Sequence, residues 1–268
     1  MVKCKIMKKK TIIILTVIAL FFAGLGAVVW WQFDNIKAIY YGFKYSPDDI
    51  ESKLTHVHDD VKKYLEDNPQ FSVRPTEPVE EELHKEGMIT DGELTGIITG
   101  DTSVVEVFGT ELELDDNKKV IISESGQVLD KETAEKLKAE NAEESVTPES
   151  DKKPDNSQRI SECVAQMYVL KSNFVSRLEG LYSQAIADYN AMTPEQRKSN
   201  GKQTIVDRYY SSAASMEAEC DGKVSAILSE LTTLLKEQGS TTELVDKIKT
   251  AYYEEKSLKK AYYINKLK

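Results

Sequence analysis

Histidine and cysteine are scarce, three of each in 268 residues, and no two cysteines stand within one helical turn of each other. That excludes the closely spaced donor pairs on which structural zinc sites and redox dithiols are built. Glycine never falls into a phosphate-cradling loop ahead of a helix, and no serine sits in a Gly-x-Ser-x-Gly elbow, so nucleotide-binding and hydrolase signatures are missing. Positive charge is short too: the chain carries a net charge of -10. Its acids crowd between Glu77 and Asp155, among them Glu80, Glu81, Glu82, Glu111, Glu113, Asp115, Asp116, Glu143 and Glu144, and such a segment repels a phosphate polymer. Nucleic acid is therefore excluded as a partner. Long apolar runs are absent as well, with one exception.

The exception is Thr11–Trp31. Lys3, Lys5, Lys8, Lys9 and Lys10 lead into it, and Trp30 and Trp31 close it. As a helix, about 20 residues rise roughly 30 Å, the thickness of the hydrocarbon core. The leading lysines keep the amino terminus in the cytoplasm by the positive-inside rule, so everything after Trp31 is expected outside the cell. A cleaved signal would have a shorter apolar core ending in small residues. Ala23, Gly24, Gly26 and Ala27 fit that rival, whereas the length of the run and the tryptophan pair favour a retained anchor.

Beyond the anchor, Asp34–Tyr45 is rich in aromatics and either extends the spanning helix or lies in the interface. Ser46-Pro47 with Asp48 and Asp49 is a helix start. Ile50, Leu54, Val57, Val61 and Leu65 then recur at spacings of three and four, which predicts one amphipathic helix ending at Asn68-Pro69. Pro78–Gly109 reads as two or three short helices. Gly87 closes the first, Thr90 with Glu93 caps the second, and Gly100 closes that before Asp101 or Thr102 opens another. Val120–Ser123 and Gln127–Leu129 flank Gly126 as a short hairpin, and Asp130 caps a charged helix reaching about Asn141. Ala142–Gln158 holds Glu, Ser, Pro, Asp and Lys without aromatics, the composition of a flexible linker.

From Gln158 onward the caps at Thr193-Pro194-Glu195-Gln196 and Ser240–Glu243, with a stop at Gly239, predict three helices. Cys163, Met167, Leu170, Phe174, Leu178, Leu181, Ala185 and Tyr189 line the first. Tyr209, Ala213, Met216, Cys220, Val224, Ile227, Leu231 and Leu235 line the second. Both sets step by four, three, four, four, three, four, four, an eleven-residue repeat that keeps helices nearly straight. If the second helix starts at Thr193, the antiparallel register sets Cys163 against Cys220, and a disulfide closing so long a loop would add about 4 kcal/mol. If Lys198–Gln203 forms the turn instead, the register slips by about eleven residues, roughly 16 Å, and no bond can form. The paired register is the expectation, because an exported chain meets an oxidant and the two cysteines lie on matching seams. A second stripe on the first helix, Val164, Tyr168, Val175, Tyr182 and Ile186, needs a neighbour: the third helix or another molecule. The third helix offers Leu244, Ile248, Ala251, Tyr252, Leu258 and Tyr262 as a buried side packed on the second.

His56, His58, Asp59 and Asp60 are the nearest approach to a metal set, but they fall on a solvated helix face without a third ligand in view, and His84 stands alone. Neither a metal nor a cofactor is expected. Lys256, Lys259, Lys260, Lys266 and Lys268 form an acid-free tail that could touch an anionic surface.

Leu83–Leu94, LHKEGMITDGEL, resembles a short helix-turn-helix with an xGxIT-x-x-E centre found in many bacterial membrane-associated proteins, where it is thought to serve oligomerisation or docking. More broadly, the anchor, Tyr40–Leu54, Tyr168–Leu181 and Ser257–Lys268 resemble a group of single-pass envelope proteins of Gram-positive bacteria for which no activity is established. The expectation is a mainly α protein: a basic tail 1–10, a single transmembrane helix 11–31, juxtamembrane helices 32–69, a small helical segment 70–141, a linker 142–157 and an antiparallel three-helix coiled-coil-like bundle 158–268. Its expected role is a non-catalytic binding or scaffolding module outside the cell membrane, with the lipid bilayer and a protein partner or second copy as its contacts and no small-molecule substrate. The alternative is an accessory subunit of an envelope transporter or wall-synthesis complex.

Overall fold

The computed structural model describes residues 33–71, 73–142 and 156–266. The basic tail, the apolar run 11–31, nearly all of the linker and Lys268 lie outside the described residues. Among those described, no helix is long and apolar enough to cross a membrane. The fold is mainly α, and its long carboxy-terminal helices pack together. Two compact units divide it, Asp60–Lys247 and the described residues up to Asp59 together with Ile248–Lys268.

In the unit that joins both ends of the chain, α1 (Phe33–Lys44) and α2 (Pro47–His56) share a core with the far part of the last helix, α10 (Glu243–Lys266). Ser46 starts α2 as its sequence predicts: its hydroxyl accepts from the Asp49 amide while Asp49 accepts from the Ser46 amide, and Pro47 sits at the first helical position. Ile50, Leu258 and Ala261 are fully buried, with Tyr41, Tyr45, Leu54, Val57 and Tyr262 packed around them. Polar bonds fix the pairing of the helices. Glu254 accepts from Lys37 and from the Tyr41 hydroxyl, Lys260 donates to Asn35, and Asn265 donates to the Tyr45 carbonyl. The distal half of the last helix thus packs with α1 and α2.

The amphipathic helix expected to reach Asn68 is broken. It stops at His56 and resumes as α3 (Asp59–Asp67). The stripe divides with it: Ile50, Leu54 and Val57 serve the first core, whereas Val61 and Leu65 are buried in the second unit.

In that second unit, α4 (Pro78–Lys85) and α5 (Asp91–Thr99) form a helical hairpin. Gly87 at φ 68° turns the chain after α4, and Thr90 with Glu93 makes the capping box of α5. A short α6 (Val104–Phe108) opens at Ser103, one residue beyond the expected start, because the Ser103 hydroxyl caps the Glu106 amide. Val120–Ile122 (β2) pairs in register with Leu112–Leu114 (β1), a partner that was not expected, and also meets the expected later segment at an Ile121–Val128 bridge, where the Ile122 amide donates to the Gln127 carbonyl and the Leu129 amide to the Val120 carbonyl. Asp130 caps α7 (Lys131–Ala142) through the Thr133 amide.

The long hairpin consists of α8 (Asn156–Ala191) and α9 (Lys202–Glu237). Thr193 does form its capping box, but it opens one turn only. Arg197–Gly201 then winds wide, with Asn200 off helical geometry, so the reversal falls where the rival turn was placed. Cross-helix bonds fix the register: Arg177 donates to Glu219 at 3.0 Å, and Tyr209 donates to Asp188 at 2.9 Å. In this register Cys220 lies beside Asn173, Phe174 and Arg177, and Cys163 near Glu230. The two cysteines are offset by about 13 residues, or roughly 20 Å of rise, far beyond bridging distance. The expected Cys163–Cys220 disulfide is not formed; both side chains are buried thiols.

The second stripe of α8 finds a neighbour that was not foreseen. Val164 and Tyr168 are buried near its start, where α4, α5 and the turn Pro69–Phe71 pack against the helix.

Candidate functional site

A polar junction in the second unit lies where the α4–α5 hairpin meets α8. Its hub is His84, next to the fully buried Leu83 on the face of α4 turned toward α8, with its side chain only 4% exposed. The Gly87 turn brings Asp91, the first residue of α5, to within 2.8 Å of His84 Nε2. From α8, Ser172 Oγ lies 2.7 Å from Nδ1, and Asn173 donates to both Asp91 oxygens at 3.1 and 3.2 Å. One neutral tautomer satisfies every group: Nε2–H donates to Asp91 while Nδ1 accepts from the Ser172 hydroxyl. Burial acts to raise the Asp91 carboxyl, but the hydrogen bonds from His84 and Asn173 outweigh it and hold the group below the usual carboxylate range.

Serine, histidine and aspartate in succession have the composition of a nucleophilic relay. The chemistry also needs an exposed hydroxyl and backbone donors poised over an oxyanion. Ser172 lies in the middle of α8, where the backbone N–H groups are spent on helical bonds. These contacts form a bracket that ties the hairpin to the long helix. Lys171 with Glu81, Lys85 with Glu179 and Lys138 with Glu93 add ion pairs around the hairpin.

Beside the bracket, Asp91, Thr95, Val169, Leu170, Lys223 and Ile227 line an open groove of about 440 Å³ between α5, α8 and α9. It runs into a smaller depression of about 240 Å³ that shares Leu170, Asn173 and Lys223 and adds Phe174, Arg177 and Glu219. The floor is apolar and the rim carries both signs of charge. Hydrogen bonds from Arg177 and then Lys223 pull the Glu219 carboxyl down to about 2, from an ordinary value of 4.5. A depressed carboxyl contributes stability above its unfolded value and loses it as pH falls through its folded one. NMR titration should therefore find a Glu219 midpoint near pH 2, the stability its ion pairs contribute fading as pH falls from about 4.5 to about 2. In Arg177→Gln the midpoint should climb back toward 4.5. A wild-type midpoint already there would refute the pairing.

The tail lysines among the described residues, Lys256, Lys259, Lys260 and Lys266, have different surroundings. Lys256 is buried with Nζ 5.6 Å from the centre of the Tyr253 ring, and Lys260 donates to Asn35. Lys259 is half-buried, whereas Lys266 is exposed with Nζ 4.7 Å from the centre of the Tyr262 ring. His56 and His58 diverge, the first bonding Asp59 and the second reaching Glu255 on α10. Among the described residues no three His, Cys, Asp or Glu side chains converge as metal donors.

Sequence reading missed the His84 bracket, because Ser172 stands 88 residues away and nothing local announces it. Only the seven-residue step from His84 to Asp91 across a glycine turn was open to inspection. In comparison with known proteins, the chain matches no family model, no curated protein and no solved structure.

Proposed function

We propose that the chain is a single-pass membrane protein whose helical part faces outward and acts as a non-catalytic binding or scaffolding module. The observation that carries the binding role is the groove between α5, α8 and α9. Its apolar floor and charged rim suit a protein segment, and it is too open to enclose a small substrate. The anchor rests on the apolar run Thr11–Trp31 and its leading lysines. The docking role associated with the motif that Leu83–Leu94 resembles points the same way, since α5, which begins within that stretch, borders the groove.

Treating intact cells with a membrane-impermeant, amine-reactive crosslinker tests orientation and association together. Lys223 on the rim has a half-exposed side chain and should react from outside. A ladder at multiples of the chain's mass, weakened by Lys223→Arg, supports a self-associating scaffold. One heavier band containing a single other protein supports the alternative, an accessory subunit of an envelope complex. A chain modified only after lysis would overturn the outward orientation, and one modified in intact cells yet never crosslinked would overturn the binding role.

A further inference from the structure

Helix α1 carries two opposed faces. Ala38 and Gly42 are buried and Tyr41 packs on the core formed with α2 and α10, so one side of the helix belongs to the folded unit. On the other side Ile36, Ile39, Tyr40 and Phe43 follow at steps of three, one and three, a single stripe along two turns. All four are exposed, from 48% at Ile36 to 79% at Phe43. No acid occurs between Asn35 and Ser46, and Lys44 flanks the stripe with Nζ 5.3 Å from the centre of the Tyr40 ring. Acids return at Asp48 and Asp49, beyond the turn.

We infer that this stripe is seated in the bilayer interface, with α1 lying along the membrane surface as a collar and the folded unit on its aqueous side. The inference rests on the anchor proposed above. What identifies lipid as the occupant is where the apolar run ends: only Gln32 separates Trp31 from the first residue of α1. Two steps of chain span at most about 7 Å, so α1 begins at the headgroup level whatever its direction. Standing upright, twelve residues of helix would carry Phe43 and its neighbours up to roughly 18 Å into water. Lying flat, the same helix places all four side chains at one depth, about 5–10 Å into the boundary between headgroups and acyl chains. Lys44 and the rim of Tyr40 then sit where a cation and a phenol meet lipid phosphate. Because α10 is bonded to α1 through Glu254 and Lys260, the collar also holds the end of the chain at the membrane.

The test uses the full chain in nanodiscs of phosphatidylcholine and phosphatidylglycerol, with Cys4→Ser leaving Cys163 and Cys220, both buried, as the native thiols. Phe43→Cys carries an environment-sensitive fluorophore, and Tyr210→Cys, at a site 69% exposed in the other unit, is the reference. The expected result is blue-shifted emission at position 43 and roughly twofold quenching by lipid spin-labelled near the headgroup, as burial of about 5–10 Å implies, with neither effect at position 210. Emission at 43 as water-like as at 210 would overturn the collar. So would a shielded but unquenched probe that crosslinks to a second copy, which would assign the stripe to self-association. Alkaline carbonate extraction of native membranes separates the two readings: a released chain defeats the anchor, and a retained chain with an unquenched probe defeats only the collar.

Discussion

Arg74→Met should lower the melting temperature of the second unit by roughly 6–12 °C, the equivalent of about 3 kcal/mol in a unit of this size. Arg74 grips Glu80 with both ends of its guanidinium, at 3.0 and 2.5 Å, and the Glu77 amide adds a third bond at 2.8 Å. Glu80 is only 2% exposed, whereas Arg74 keeps 42% of its side chain in solvent. The asymmetry sets the size of the effect. Removing arginine strands a buried carboxylate with a lone backbone donor, which is costly. The partial exposure of the arginine and the surviving amide bond keep the loss near the low end of the range for broken buried pairs. Arg74→Met combined with Glu80→Leu should recover most of the lost stability, because two apolar side chains leave no charge to solvate. Circular dichroism melts of the full chain measure both. An Arg74→Met protein that melts within a degree of the native one would mean that water reaches Glu80.

Residues close in sequence disclosed their structure, and those far apart did not. The caps at Ser46, Thr90 and Thr193 all form as their sequences predict, because each needs only a hydroxyl and an acceptor three residues on. The break at Val57–His58 was hidden for the opposite reason. An apolar stripe from Ile50 to Leu65 reads as one helix if it faces one core, but here it feeds two. Strand pairing was legible in part: β2 has a segment of similar character on each side, and it meets the expected later one at a bridge while laddering with the earlier one, which was not expected. Propensity at Val120–Ile122 has no means of ranking them.

The long hairpin had two candidate turns, each with good local credentials. What separates them is packing at Gly201. A Cβ there would come within 3.2 Å of both the Gln196 carbonyl and the Tyr189 ring, so the chain reverses where a glycine permits close approach. The Asn200-Gly201 pair held that information. The Thr193 cap was the louder signal, and it proved to start a single turn. His84 was illegible by sequence alone, since its serine partner, and the asparagine that bonds Asp91, come from the middle of the first helix of that hairpin.

The register has a chemical consequence that tests it. Burial pushes the Cys163 thiol from 9.0 up to about 11. Near pH 8 a rise of two units reduces the thiolate roughly a hundredfold, so alkylation of native Cys163 should be at least about a hundredfold slower than that of an ordinary thiol. Mass spectrometry after denaturation in a thiol-blocking reagent, without reductant, should then find Cys163 and Cys220 both modified. A reducing agent should leave the melting temperature unchanged, whereas loss of a disulfide across so long a loop would cost about 4 kcal/mol. A Cys163–Cys220 peptide in a non-reducing digest would overturn the register, since the bridge cannot span roughly 20 Å. Free thiols in an exported chain are exposed to oxidation in principle, but the reacting species is the thiolate, and burial depletes it. The same packing that keeps the two sulfurs apart therefore protects Cys163 from oxidation.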